Sequence, residues 1–163
     1  MTSKKTVEVT FKKAVEAAAP PLNISYQPGL QALGVYSKKV IQNKSVTGSI
    51  DIDKALVRLH ASENRWDYGI GYKLTKAKEC AVWVEVHGAK IDEVGTLARK
   101  VNWLKDYLKQ HAPDLWQLTL KSPENLRYVW LGTKNIHLSM NSPAYRRAAQ
   151  EGITLHGTVL TLP

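Results

Sequence analysis

Two acidic residues stand in apolar, strand-like segments near the middle of the 163-residue chain. Asp67 lies in Trp66–Leu74, and Glu85 lies among tryptophan and valine residues in Cys80–His87. Charged side chains are rarely placed in apolar strands unless they are paired, bound to a cation or exposed at an edge. Two carboxylates that converge from neighbouring strands could hold a divalent metal, so we expect Mg²⁺ or Mn²⁺ between them.

The two segments are predicted to form an antiparallel hairpin, because only the charged turn Thr75–Glu79 separates them. Pairing centred on that turn puts Asp67 opposite His87 and diagonal to Glu85, within reach of a shared ion. Glu85 and His87 are two residues apart and therefore point to the same face. The second segment has almost no polar residues, which is typical of a central strand.

Structural roles compete with metal binding for the same residues. Asp67 could cap a turn or pair with Arg65, and Glu85 could lie on a solvated face of the sheet with a lysine partner. A lone histidine such as His87 suits a hydrogen-bonded structural position as well as a ligand position. Two further acids on the preceding predicted strand could add a third carboxylate or line a solvated edge: Asp51 and Asp53.

The remaining periodicity predicts an α/β fold with a mixed central sheet flanked by helices. Helices are predicted at about Gly29–Asn43, Ile91–His111 and Pro143–Glu151. Strands are predicted at Ser45–Ile52, Trp66–Leu74, Cys80–His87, Leu115–Leu120, Leu126–Leu131, Ile136–Met140 and Ile153–Leu162. Residues 6–18 read first as strand and then as helix, and 53–59 as either.

The clearest helix runs from about Ile91 to His111. It has one apolar stripe, formed by Ile91, Val94, Leu97, Val101, Leu104 and Leu108. Asp92 and Glu93 favour the helix dipole at its start, and Pro113 is predicted to stop it. Its other face is predicted to carry Arg99, Lys100, Lys105 and Lys109.

The order helix, three-strand meander, helix, strand resembles the core of the PD-(D/E)XK nucleases, the restriction-endonuclease-like fold, over about residues 29–120. In that family an aspartate at the start of the second core strand and a (Asp/Glu)-X-Lys on the third strand hold metal and activate water. Asp67 matches the first position, and Glu85-Val86-His87 matches the second except at its last residue. The resemblance implies that Asp67 and Glu85 bind the metal.

His87 stands where the family has lysine. An imidazole could orient water or bind the metal, but it supplies no permanent positive charge. The missing charge could come from Lys73, Lys90 or Lys100, as relocated lysines supply it in some family members. With His87 beside the metal, Lys73 or Lys90 would steady the phosphate; a nuclease-like module without activity is the alternative.

The charge balance makes nucleic acid the leading predicted partner. Lysine and arginine number 23 against 14 acidic residues, which gives a net charge of +9, and such a field attracts polyanions. Two basic pairs on predicted helices could contact phosphates or could simply be solvated: Arg99 with Lys100, and Arg146 with Arg147. We therefore predict a metal-dependent nuclease acting on DNA or RNA. The alternatives are a non-catalytic binding or assembly module, or a complex subunit or homo-oligomer that uses its tryptophan-rich strands as an interface.

Other chemistry has no signal in the sequence. The chain lacks a glycine-rich phosphate loop, zinc-ligand spacing and a nucleophile elbow. The single cysteine, Cys80, excludes an internal disulfide and is expected to be a buried thiol. No signal-peptide core or membrane-length apolar run occurs, which predicts a cytoplasmic protein. We predict one domain over 1–163, with 1–28 as an arm, 29–120 as the core and 121–163 as a strand-helix-strand extension.

Overall fold

The computed structural model describes residues 8–88, 93–134, 139 and 141–163. Its strands are β1 Val40–Ile41, β2 Val46–Asp51, β3 Tyr68–Thr75, β4 Lys78–His87, β5 Tyr128–Gly132, β6 Ile153–Leu155 and β7 Leu160–Thr161. Its α-helices are α1 Phe11–Glu16, α2 Ile52–Leu56, α3 Val94–His111, α4 Pro113–Lys121 and α5 Pro143–Gln150. Short 3₁₀ segments lie at Leu22–Ile24, Gln31–Lys39 and Glu124–Leu126.

A five-stranded sheet in the order β2-β3-β4-β5-β6 organises the molecule. Strands β2, β3 and β4 form an antiparallel meander, and β5 and β6 then add parallel to β4. The predicted α/β class with a mixed sheet flanked by helices is therefore confirmed, and β4 is central as expected. Strands β1 and β7 form a separate parallel pair.

The two faces of the sheet are covered differently. Helices α1, α3 and α4 pack on one face, where Phe11, Leu104 and Leu115 meet Trp83 and Trp130 of the sheet. The other face is covered by the 3₁₀ segment before β1 and by the β1–β7 pair. Alternation along β4 divides its side chains between these faces, so Glu85 lies on the helix-covered side together with Trp83.

The tryptophans of the predicted strands belong to the core. Trp66, Trp83 and Trp130 are all fully buried or nearly so, and the indole of Trp83 donates to Thr119 Oγ1 at 2.8 Å. These three tryptophans therefore contribute to the core, whereas Trp116 of the segment predicted as a strand is only partly buried. Cys80 is buried as predicted, and that burial raises the pKa of its thiol.

The strand predicted at Leu115–Leu120 is wrong, because this segment is helix α4. Pro113 ends α3 but also occupies the first turn of α4, where proline is well tolerated. Leu115, Leu118 and Thr119 are buried at helical spacing. Thr119 also donates to the carbonyl of Leu115 at 2.8 Å, which is a helical i to i−4 contact.

Two further predictions fail where distant parts of the chain pair. The helix expected at Gly29–Asn43 is a 3₁₀ segment interrupted at Gly34, where φ is 54°, followed by β1. The strand expected at Ile153–Leu162 is split into β6 and β7, which join different sheets. Each short strand depends on a partner elsewhere in the chain, and local periodicity carries no information about that partner.

Parts of two predictions lie outside the described residues: the strand at Ile136–Met140 apart from Ser139, and the start of the helix at Ile91 and Asp92. From Val94 onward that helix is present as predicted. Within the described ranges, none of the helices has the length and apolar character needed to cross a bilayer.

Candidate active site

The β3–β4 hairpin brings Asp67 and Glu85 side by side. Tyr68 pairs with Val84, so extending the ladder by one residue puts Asp67 opposite Glu85. The backbone N–H of Asp67 donates to Glu85 Oε2 at 3.0 Å. The predicted pairing of Asp67 with His87 is therefore wrong by two residues.

The error arises at the turn, which is shorter than predicted. Thr75 pairs with Lys78, and the register then shifts between Lys73 and Thr75. A shift of two residues changes the partner but keeps the face, because side chains alternate along a strand. Asp67 therefore lies directly opposite Glu85 instead of diagonal to it.

Glu85 is fully buried and both of its carboxylate oxygens have partners. Oε2 accepts from the Asp67 backbone, and Oε1 forms an ion pair with the ammonium group of Lys100 on α3. The alternative prediction placed Glu85 on a solvated face with a lysine partner. The solvated position is wrong, because Glu85 is buried, but the lysine partner is present. Burial, followed by repulsion from Asp67, raises the pKa of Glu85 to about 8, although Lys100 opposes the rise.

Asp67 is half-buried beside it. Its Oδ2 accepts from the Val86 backbone N–H at 3.1 Å, and its carbonyl accepts from Ile52 at 3.0 Å. Burial raises the pKa of Asp67, and the charge of Lys100 acts against that rise. The alternative pairing with Arg65 is not formed, because the Arg65 Nε lies 3.0 Å from Asp53 Oδ1 instead.

Two further acids lie near Asp67, although the chain as a whole carries +9. Asp51 caps α2 through a 2.8 Å bond from the Lys54 N–H, so it is neither a free ligand nor merely solvated. Asp51 and Asp53 both lie close enough to raise the pKa of Asp67 further. Their positions make the surroundings of Asp67 favourable for an added cation.

His87 lies between two carboxylates. Its Nε2 is 3.0 Å from Glu93 Oε2, its Nδ1 is 3.7 Å from Glu85 Oε1, and 25% of its side chain is exposed. Sequence analysis treated Glu93 only as a helix-dipole residue and so missed this contact.

Among the residues that the structure describes, Lys100 is the one candidate lysine that reaches the site. Lys73 is exposed near the turn, six residues from Asp67 along β3, which is about 20 Å of extended chain. Lys90 lies outside the described residues. The assignment of Lys100 to the outer face of its helix is wrong, since only 18% of its side chain is exposed.

The arginines of two helices meet at the start of α3. A Cβ added to Gly95 would lie 3.4 Å from Arg147 Nη1 and 3.7 Å from Arg99 Nη1, so both guanidinium groups cover this glycine. Arg147 and its neighbour Arg146 are exposed on α5, and Arg99 is exposed on α3. Two of the predicted phosphate-binding residues therefore converge over Gly95, about one and a half turns from Lys100.

The donor set suits a hard divalent cation. In the part of the chain that the structure describes, no group of three or more His, Cys, Asp and Glu side chains is arranged around a metal position. Two carboxylates suffice for Mg²⁺, which keeps several water ligands and takes others from substrate phosphates. Asp67 and Glu85 supply two carboxylates, but Glu85 is fully buried and an ion would have to displace Lys100 from Glu85 Oε1.

Comparisons of the chain with protein-family models, with curated proteins and with solved structures find no match.

Proposed function

We propose that this protein is a nuclease that uses Mg²⁺ or Mn²⁺ to hydrolyse phosphodiester bonds, with a site similar to that of the PD-(D/E)XK nucleases. One observation carries the proposal: Lys100 reaches from α3 to Glu85, at the point where Glu85 meets Asp67. Two carboxylates and one ammonium group thus meet at one end of a hairpin. This is the set of groups that the family resemblance requires, with the lysine relocated to a helix.

The order of elements supports the same proposal. Helix α1 packs on the sheet, β2, β3 and β4 form the meander, α3 follows, and β5 adds parallel to β4. The helix and the fourth strand of the predicted order are formed by other residues, α1 and β5, and helices α2 and α4 interrupt that order.

The residues have distinct roles in this proposal. Asp67 and Glu85 would hold the ion, which supplies an activated water and offsets phosphate charge. Lys100 would balance the charge of Glu85 and contact the reacting phosphate. His87, paired with Glu93, would hold or accept a proton beside them, and Arg99 and Arg147 would orient the neighbouring strand.

The test is cleavage of plasmid DNA and of single-stranded DNA and RNA with Mg²⁺, with Mn²⁺ and with chelator. We expect metal-dependent cleavage that falls roughly a hundredfold or more in Glu85→Gln and Lys100→Met, because each change removes charge stabilisation at the reacting phosphate. The matched controls Glu16→Gln and Lys12→Met alter an exposed ion pair on α1 and should cleave normally. Full activity in Glu85→Gln, or cleavage that persists in chelator, would reject the assignment.

A second function is favoured by one specific observation: Glu85 is fully buried and Lys100 already neutralises one of its oxygens. Such an ion pair could be purely structural. The protein would then be a non-catalytic nucleic-acid-binding or assembly module, with salt-sensitive binding and no magnesium requirement.

Thermal unfolding during a Mg²⁺ titration separates the two functions. A real site stabilises the folded form by about 2.7 kcal/mol when the ion is at a hundred times its dissociation constant. We expect that shift in the native protein and its loss in Glu85→Gln. An unchanged melting temperature across the titration in both proteins would favour the non-catalytic module.

A further inference from the structure

A basic cleft lies at the other end of α3 from the carboxylate site. It has a volume of about 470 Å³ and is bounded by α3, α4, the start of β5 and the α5–β6 connection. The residues that matter for its chemistry are Lys105, Lys109, Arg127, Trp116, Tyr128 and Leu120. It thus combines three cationic side chains with two aromatic rings.

Lys105 is a half-buried cation held in one place. Its Nζ donates to the backbone carbonyl of Glu151 at 2.8 Å and lies 5.1 Å from the centre of the Tyr128 ring. Burial lowers the pKa of Lys105, because its charged form has lost part of its hydration. An anion in the cleft would compensate that loss.

The other two cations are also oriented toward the cleft walls. The Lys109 Nζ lies 4.8 Å from the centre of the Trp116 ring. Arg127 donates from Nε to the Ser122 carbonyl and from Nη2 to the Leu120 carbonyl, both at 2.9 Å. Because these contacts already restrict the side chains, less conformational entropy is lost when an anion binds.

None of the three is neutralised directly by an acid. Among residues 8–88, 93–134, 139 and 141–163, the ion pairs do not include Lys105, Lys109 or Arg127. Glu124 and Glu151 also line the cleft, but neither forms an ion pair with any of these three basic residues. The cleft is therefore positive overall, with donors whose charge is only partly balanced.

We propose that this cleft binds the phosphate group of a nucleotide, either free or within a nucleic-acid strand. A phosphate offers several acceptor oxygens to the lysines and the arginine at once. The exposed part of Trp116 and the 42% exposed Leu120 provide apolar surface for the attached sugar or base. The inference does not rest on the nuclease activity, since it uses none of the carboxylate-site residues.

The experiment measures binding without divalent metal, in the Asp67→Asn background as well as in the native chain. The probes are inorganic phosphate, a mononucleoside monophosphate and a short oligothymidylate, observed through the Trp116 indole resonance. We expect binding that weakens at least tenfold in Lys105→Gln/Lys109→Gln. For the oligothymidylate, the log–log salt slope should fall by about 1 for each lysine removed.

The matched control is Lys12→Gln, which removes a lysine that also lies over an aromatic ring, 5.7 Å from the Tyr26 centre, outside the cleft. It should leave binding unchanged.

Binding of the mononucleotide alone identifies a free nucleotide as the source, and tighter oligothymidylate binding identifies a strand. If the double variant is unstable, Lys105→Arg/Lys109→Arg must keep the affinity. Absence of binding by all probes, or native affinity in a folded double variant, would overturn the proposal.

Discussion

Lys100 and Lys105 lie on the same helix, about 7.5 Å apart in axial rise, yet their surroundings are opposite in character. Lys100 meets a buried carboxylate and forms an ion pair. Lys105 meets a carbonyl oxygen and an aromatic ring, without a carboxylate partner among the described residues. One site holds a buried acid paired with a lysine, and the other holds basic residues without an ion-pair partner in the described structure.

The difference comes from what the sheet presents to α3. The central strand β4 offers Glu85 toward its carboxyl end, whereas the start of β5 offers Tyr128. A lysine on the helix is thus the counterion of a buried acid at one end, whereas at the other end it donates to a backbone carbonyl. The ligands that we propose for the two ends accordingly have opposite charge, a metal cation and a phosphate.

The largest expected effect comes from replacing the two lysines separately by methionine. Lys100→Met leaves Glu85 buried without its counterion, which should lower the free energy of unfolding by roughly 3 kcal/mol or more. Lys105→Met removes a carbonyl hydrogen bond and a ring contact and should cost about 1 kcal/mol. Urea unfolding at pH 9, above the pKa of about 8 that Glu85 has beside Lys100, measures both.

The double variant Glu85→Gln/Lys100→Met is the control, because it removes both charges together. It should recover most of the stability lost in Lys100→Met, since no buried charge is left unpaired. Equal losses in Lys100→Met and Lys105→Met would remove the contrast between the two ends of α3.

An intermediate effect is expected from pH. The pKa of Glu85 is raised from 4.5 to about 8, so between these values the folded protein binds more protons than the unfolded chain. Stability should therefore fall as pH rises through this window, with a slope of at most about 1.4 kcal/mol per unit from this group. Unfolding midpoints between pH 5 and 9 measure the slope, and Glu85→Gln should reduce it.

Lys105 in the cleft is expected to change stability with pH in the opposite direction from Glu85. The pKa of Lys105 is lowered from 10.5, so just below that value the unfolded chain binds more protons and stability should rise with pH. Lys105→Met should remove this rise and leave the Glu85 slope intact. A flat profile from pH 5 to 9 in the native protein would contradict the description of the buried acid.

The smallest effect is expected from Lys109→Gln. Lys109 is exposed and contacts only the Trp116 ring in the described structure, so its loss should change stability by about 0.5 kcal/mol. Thermal unfolding measures this change. A loss above about 2 kcal/mol would assign Lys109 to the fold instead of to ligand binding.

Strong local periodicity was enough to predict the centre of the fold. The strands around Ile70 and Val82 and the stripe of α3 are present where the pattern indicates. Segment 115–120 failed because its Leu and Trp residues fit either period, and only packing against β4 selects the helix. The 3₁₀ segment and the split C-terminal strands failed because their partners are distant in sequence.

For the candidate site, the acidic pair was predictable and the basic partner was only one of three options. Lys100 is one turn from both Leu97 and Leu104, at the margin of the apolar stripe, and this spacing is the signal that could have identified it. No comparable pattern in the sequence indicates that Glu93 lies next to His87. The cleft around Lys105 joins residues from four elements and has no pattern in the sequence.

By itself, the sequence determined that a carboxylate would occupy the central strand and that a helix with lysines beside its apolar stripe would follow. Alternation and helical spacing are local properties, so they can be read along the chain. The tertiary structure alone decided which lysine meets Glu85, that Asp67 lies directly opposite Glu85 instead of diagonal to it, and that the next lysine faces a ring. Those outcomes depend on hairpin register and helix packing, which bring together groups that no local pattern relates.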